Sequence, residues 1–168
     1  MYARKGENGV NIVIKPISRH GFAGLLAAGA AALGVLGRTS PASAASKTHR
    51  IVLHVDQNDP AVMNLALNNM TNVATHYGGA GDQFELELVA YGPGLHMLRA
   101  DTSPVKDRLA SIKQSIPDVT FSACNVTKTA MEKAEGHPIA IVPQARLVPA
   151  GVVRIVELEE VGWSYVKP

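Results

Sequence analysis

The 168-residue sequence has a single cysteine, Cys124. No internal disulfide can form, and no cysteine-pair redox or zinc framework exists. Histidines show no metal-ligand spacing of the i, i+4 kind, so no metal and no other cofactor is expected. No Gly-x-Ser-x-Gly elbow supports a serine hydrolase. The glycines around Pro93 fit neither the P-loop nor the dinucleotide fingerprint. Acid is absent from residues 20–46, where His20 and Arg38 are the only potential cations. Beyond residue 44 the chain carries 11 basic and 13 acidic residues, a net charge of −2. That balance leaves no basic patch for nucleic acid.

The acid-free stretch reads as the core of an export signal over residues 1–44. Arg4, Lys5, Lys15 and Arg19 precede an uncharged run from Gly21 to Gly37, and Ala42-Ser43-Ala44 offers a small-x-small cleavage site. Ser18-Arg19-His20-Gly21-Phe22 resembles the twin-arginine box, with histidine in the second arginine position. An uncleaved membrane anchor is the alternative. A 17-residue helix would reach only about 26 Å, against ~30 Å of hydrocarbon. The expectation is therefore an exported, periplasmic protein with no stable membrane span after cleavage, its globular domain covering residues 45–168.

That domain alternates strand and helix. His49–Val55 is dense in aliphatic residues and reads as a central, buried strand. Asp59-Pro60 then caps a helix to Tyr77, with Val62, Leu65, Ala66, Met70 and Val73 as its apolar stripe. Asn58, Asn64, Asn68, Asn69 and Asn72 give that region a polar outer face, or a polar contact or pocket rim. Phe84–Tyr91 is a second strand whose alternating first half places it nearer a sheet edge. Gly92-Pro93-Gly94 lets backbone approach something closely, and Tyr91, Gly92 and Gly94 become pocket candidates with Asn58. Ser103-Pro104 opens a helix to about Ser115, striped by Val105, Leu109 and Ile112. Val119–Ala123 is a third strand, and a helix follows with Asn125 or Thr127 at its cap. Of two weak segments, 139–142 and 145–148, the later is expected to be the fourth strand. A helix from about Ala150 and a short strand at Trp163–Val166 end the chain. This order predicts a three-layer α/β/α domain with a mostly parallel five-stranded sheet.

Cys124 stands at the C-terminal end of a strand and before a helix, where open parallel sheets place their sites. A helix N-terminus favours thiolate over thiol. Free cysteine is also among the most buried residue types, so reactive and structural roles both remain open. Asn125 and Thr127 complete the candidate pocket.

Several segments together resemble the DsrE family of small sulfur-relay-like α/β proteins. They are Asn64–Asn69, Val89–Leu95, Phe121–Asn125, Val148–Val153 and Gly162–Pro168. The resemblance spans about residues 48–168. It implies a five-stranded parallel sheet, assembly into homo-oligomeric trimers or hexamers, and a sulfur donor or acceptor protein as partner. It also implies that Cys124 carries sulfane sulfur as a persulfide. Exported members of that family often read Ala-Cys-Gly-Asn-Thr where this chain has Ala123-Cys124-Asn125-Val126-Thr127. The alternative function is a non-catalytic oligomeric binding or accessory module in which Cys124 is structural.

Overall fold

The computed structural model describes residues 47–168. The expected export segment, its cleavage site and its helical character lie outside them. Among the described residues no helix is long and apolar enough to cross a membrane.

Five strands form one sheet: β1 (Thr48–Val55), β2 (Gln83–Ala90), β3 (Thr120–Cys124), β4 (Ala145–Val148) and β5 (Ser164–Val166). Their order is β4-β3-β2-β1-β5, and every pairing is parallel. Four α-helices connect them: α1 (Pro60–Ala80), α2 (Lys106–Ser115), α3 (Asn125–Glu135) and α4 (Gly151–Glu160). A 3-10 helix, Gly92–Leu98, follows β2.

The topology fixes which face each helix covers. From β1 to β4 each crossover steps the same way, and right-handed connections keep α1, α2 and α3 on one face. The last crossover returns from β4 across the sheet to β5, so α4 lies on the opposite face. The packing agrees. One core joins Leu53, Leu88 and Phe121 to Met63, Met70, Leu95 and Leu109. A much smaller one joins Val52 and Val89 to Ile155 and Leu158 of α4. The expected three-layer α/β/α architecture is present.

Helix α1 starts where the sequence says, with Asp59 Oδ1 accepting from the Ala61 N–H at 2.7 Å and Pro60 next. It runs three residues past Tyr77 and ends on the left-handed Gly81. Its fully buried stripe is Met63, Ala66, Leu67 and Met70. Val62 and Val73 only flank the core, and Leu65, expected in the stripe, is 47% exposed. Ala66 and Met70 are buried as expected, while Met63 and Leu67 take the places expected of Val62 and Leu65. Two asparagines do have a partner across the interface. Arg108 of α2 donates to the Oδ1 atoms of Asn64 and Asn68, the latter at 2.8 Å.

Strand β2 corrects the expectation of an edge position, since it is the middle strand of the sheet. Its alternation comes from Glu87, which is 2% exposed and neutralised inside the fold. Arg154 of α4 donates to Glu87 from Nε at 2.9 Å and from Nη2 at 2.8 Å, and Ser122 Oγ donates at 2.7 Å. Arg146 of β4 adds a contact at 3.2 Å. Burial works against the charge, but these donors outweigh it and hold the carboxyl below its ordinary range.

Helix α2 begins at Lys106 rather than at Pro104, because Ser103 Oγ is occupied elsewhere. It donates to the Met97 carbonyl at 2.5 Å and accepts from the Val105 N–H at 3.3 Å, closing a turn ahead of the helix. Segment 139–142 is not a strand of the sheet. It lies along the 3-10 helix exit, with one antiparallel bridge between Arg99 and Ile141. Arg99, 2% exposed, locks this corner by reaching Asp101 at 2.7 Å and Glu135 at 2.8 Å.

Candidate functional site at the strand ends

Strands β3 and β4 are neighbours whose following helices leave to opposite faces of the sheet. This is the switch point of the topology, where the ends of two strands part and a crevice opens. Cys124 ends β3 at that position. It is also the N-cap of α3, with φ −70° and ψ 117°, so neither Asn125 nor Thr127 is the cap. The Thr127 N–H donates to Cys124 Sγ at 3.4 Å. A thiol does here what a serine or aspartate oxygen usually does.

The second helix closes from the other side. Gly151 opens α4, and a Cβ there would lie 2.9 Å from Tyr91 Cβ and 3.2 Å from Cys124 Cβ. Only the absence of a side chain lets α4 come this close. The Val126 N–H donates to the Pro149 carbonyl at 3.3 Å and ties the two helix entrances together. Cys124 is left 4% exposed.

Electrostatics follow from this placement. Burial opposes ionisation of the thiol. Against it stand the Thr127 hydroxyl and the N–H groups of Thr127, Gly151 and Val126, drawn from the first turns of both helices. The donors win, and Cys124 is held below the ordinary cysteine value. Such a sulfur ionises at lower pH than a free thiol and is largely shielded from bulk solvent.

The remaining candidates fall into three places. Tyr91 borders Gly151 directly. Burial, and then the charge of Asp56, push its phenol up. Gly92, at φ +52°, donates its N–H to Thr127 Oγ1 at 3.0 Å, so the loop after β2 is tied to the residue that caps the thiol. Gly94 is structural, because a Cβ there would fall 2.1 Å from the Val55 carbonyl oxygen. Asn125 is the first residue of α3 and points its exposed side away from the packed layers. Asn58 lies with Gly92 and Thr127 along a groove of about 550 Å³ on the α3 side of the strand ends. Cys124, Tyr91, Gly92 and Thr127 are thus brought together, and Asn58 joins through the groove.

Sequence reasoning missed a second cluster beside Tyr91. His54 is 6% exposed and stacks between Tyr91 and Tyr165, with ring centroids 5.3 Å apart on both sides. Tyr165 Oη is hydrogen-bonded to His54 Nδ1. His54 Nε2 is 3.4 Å from Asp56 Oδ2, within ion-pair range yet not aligned for a hydrogen bond, and so stands unpaired. His96 is apart from this cluster and lines the groove instead, with Nδ1 2.8 Å from Thr102 Oγ1. Among the described residues no three His, Cys, Asp or Glu side chains are placed to hold a metal ion.

A solved structure similar to this chain is that of MTH1491, a protein of unknown function from Methanobacterium thermoautotrophicum. The two are 27% identical with a TM-score of 0.61, over 71% of this chain and 99% of that one. The likeness is one of fold. No family model matches the chain, and no curated protein does.

Proposed function

We propose that the chain is an exported, periplasmic, DsrE-like carrier of sulfane sulfur, held as a persulfide on Cys124. The observation that carries this reading is the convergence of two helix N-termini on one thiol at the switch point of the sheet. The chemistry needs nothing else from the chain. The Cys124 thiolate attacks the terminal sulfur of a polysulfide. The S–S bond within the donor breaks, a new one forms to Sγ, and the shortened polysulfide or hydrosulfide leaves with the electron pair. The persulfide anion that results gains from the same N–H groups. Passing the sulfur to an acceptor thiolate reverses the step, so the protein acts as a relay with a donor or acceptor protein. Because Cys124 is only 4% exposed, loading depends on a small donor or on a local opening of the site.

The test is mass spectrometry of the full chain after exposure to inorganic polysulfide. One or more additions of about 32 Da, the mass of a sulfur atom, are expected, and none on Cys124→Ser with unchanged circular dichroism. An intact wild-type mass after prolonged exposure sinks the reading. For export, the periplasmic product is expected to begin at Ala45. Recovery of a full-length, membrane-bound chain overturns that part.

A second reading has its own observation. Helix α4 carries Val152, Val153 and Val156 at 57%, 50% and 48% exposure, beside Leu147 at 49%. An apolar face of this kind suits a homo-oligomeric binding or accessory module, trimeric or hexameric, with Cys124 as a packing and capping residue. It predicts that Cys124→Ser leaves assembly and partner binding untouched, and that Val153→Asp yields a monomer in light scattering.

A further inference from the structure

The groove on the α3 side of the strand ends has a chemistry of its own. Val126, Pro93, Ala130 and Met131 give it an apolar lining, and Asn58 and His96 add polar groups to it. No Lys, Arg, Asp or Glu lines it. We propose that this groove binds a small uncharged molecule with an apolar body and one hydrogen-bonding end, and that Thr127 couples its occupancy to the state of Cys124.

Charge and size select that occupant. An ion seated there would meet no counter-charge from the lining. A volume of about 550 Å³ falls in the ~300–1,000 Å³ range of small-molecule pockets. It is an open groove rather than an enclosed cavity. The apolar wall is open to solvent: Val126 is 63% exposed, and Ala130 and Ala134 follow it at four-residue intervals along α3. The polar lining groups are prepared. His96 spends Nδ1 on Thr102, which fixes the ring and leaves Nε2 for a ligand. Asn58 presents an exposed carboxamide. The floor asks for nothing, because the Gly92 N–H and Thr127 Oγ1 satisfy each other.

Coupling runs through one residue. Thr127 lines the groove, accepts from Gly92, and donates its N–H to Cys124 Sγ. A molecule lying against Thr127 changes the donors around the thiol, and by reciprocity the charge on the thiol changes the affinity of the groove. Groove binding itself stands whether or not the thiol ever carries sulfur.

The test is a fluorescence titration of the full chain with Nile red, an uncharged apolar dye, and with the anionic 8-anilinonaphthalene-1-sulfonate. Saturable one-to-one binding of Nile red is expected, at least about tenfold tighter than the anion. Ala130→Asp sets a carboxylate on an exposed helical position in the groove and is expected to weaken Nile red about tenfold or more. Ala134→Lys, at the far end, repeats the test should Ala130→Asp disturb folding. Val153→Asp, on the opposite face of the sheet, is expected to leave binding unchanged. Binding that survives both groove variants, or is lost with Val153→Asp, overturns the proposal. So does equal affinity for the anion. A Cys124 titration that does not move when Nile red saturates the chain overturns the coupling and leaves the sulfur reading untouched.

Discussion

Thr127 presents its backbone N–H to Cys124 Sγ at 3.4 Å while its hydroxyl accepts from the Gly92 N–H. The cap of α3 and the loop after β2 are therefore held by one residue, and the thiol is held with them. Thr127→Val keeps the shape and removes the hydroxyl. Its partner Gly92 is left with an unsatisfied N–H, a loss of about 1 kcal/mol, and the thiol loses its leading favourable donor. The Cys124 titration, followed by thiolate absorbance, is expected to move up toward the ordinary cysteine value. An unmoved titration would show that backbone donors alone set it.

The lowered thiol value has a consequence for stability. Cys124 ionises at lower pH folded than unfolded, and for such a group the folded state gains as the proton leaves. The contribution is fully present above the unfolded value near ~8.5 and is lost as pH falls through the folded value. Wild-type unfolding free energy is therefore expected to rise with pH across that window relative to Cys124→Ser. Parallel curves for the two proteins, measured by urea unfolding, would remove the depressed thiol from the account.

Gly151→Ala tests the second helix. The added Cβ would meet Tyr91 Cβ at 2.9 Å and Cys124 Cβ at 3.2 Å, so α4 must back away. Overpacking of this kind costs ~1–3 kcal/mol, offset in part by the better helix propensity of alanine, at most ~1 kcal/mol. A net loss of stability with a raised Cys124 titration is expected. A variant as stable as the wild type with an unchanged thiol would mean that α4 does not press on the site.

The sequence showed where strands end and helices begin more clearly than which residues meet. Asp59-Pro60 and the strand before Cys124 were legible because caps and apolar runs are local. The central place of β2 was not. Glu85 and Glu87 alternate as a solvent-facing strand does, and only the fold brings Arg154, 67 residues on, to Glu87. Cys124 stood out as a lone thiol at a strand end. The approach of Gly151 was hidden, since a glycine at the entry of the last helix says nothing by itself of what packs against it. Tyr165 was legible as part of a last strand, and its bond to His54, 111 residues away, was not.

The Glu87 cluster makes a pair of coupled sites. Arg154→Met removes the two-pronged partner of a carboxylate that is 2% exposed. Breaking one side of a buried pair costs ~3–5 kcal/mol, and Arg146 and Ser122 remain to moderate it, so a value near the lower end is expected. Adding Glu87→Gln to Arg154→Met should cost less than the sum of the two alone. Because the Glu87 value is lowered on folding, its contribution is present above the unfolded value near ~4.3 and fades as pH falls through the folded one. Strict additivity in a double-mutant cycle, or no difference from wild type in acid sensitivity, would show the cluster to be passive.

The last strand hangs on Tyr165. All three residues of β5 are exposed, and they pair only with Ile51, Val52 and Leu53 of β1. What fixes the strand sideways is the Tyr165 hydroxyl on His54 Nδ1, the stacking of the two rings, and Lys167 at 3.7 Å from Asp56. Tyr165→Phe keeps the ring and removes the hydroxyl, leaving His54 buried with no hydrogen bond on either nitrogen. A buried unsatisfied group costs ~1–3 kcal/mol, and the partial exposure of Tyr165, 38%, lets water recover part of it. The loss falls on β5 and not on the main core, which lies across the sheet. Amide exchange at Ser164–Val166 is therefore expected to speed up several-fold, with a matching change in Trp163 fluorescence, while the global unfolding midpoint shifts little. Exchange that stays at the wild-type rate in β5 would mean that the three backbone pairings suffice to hold it.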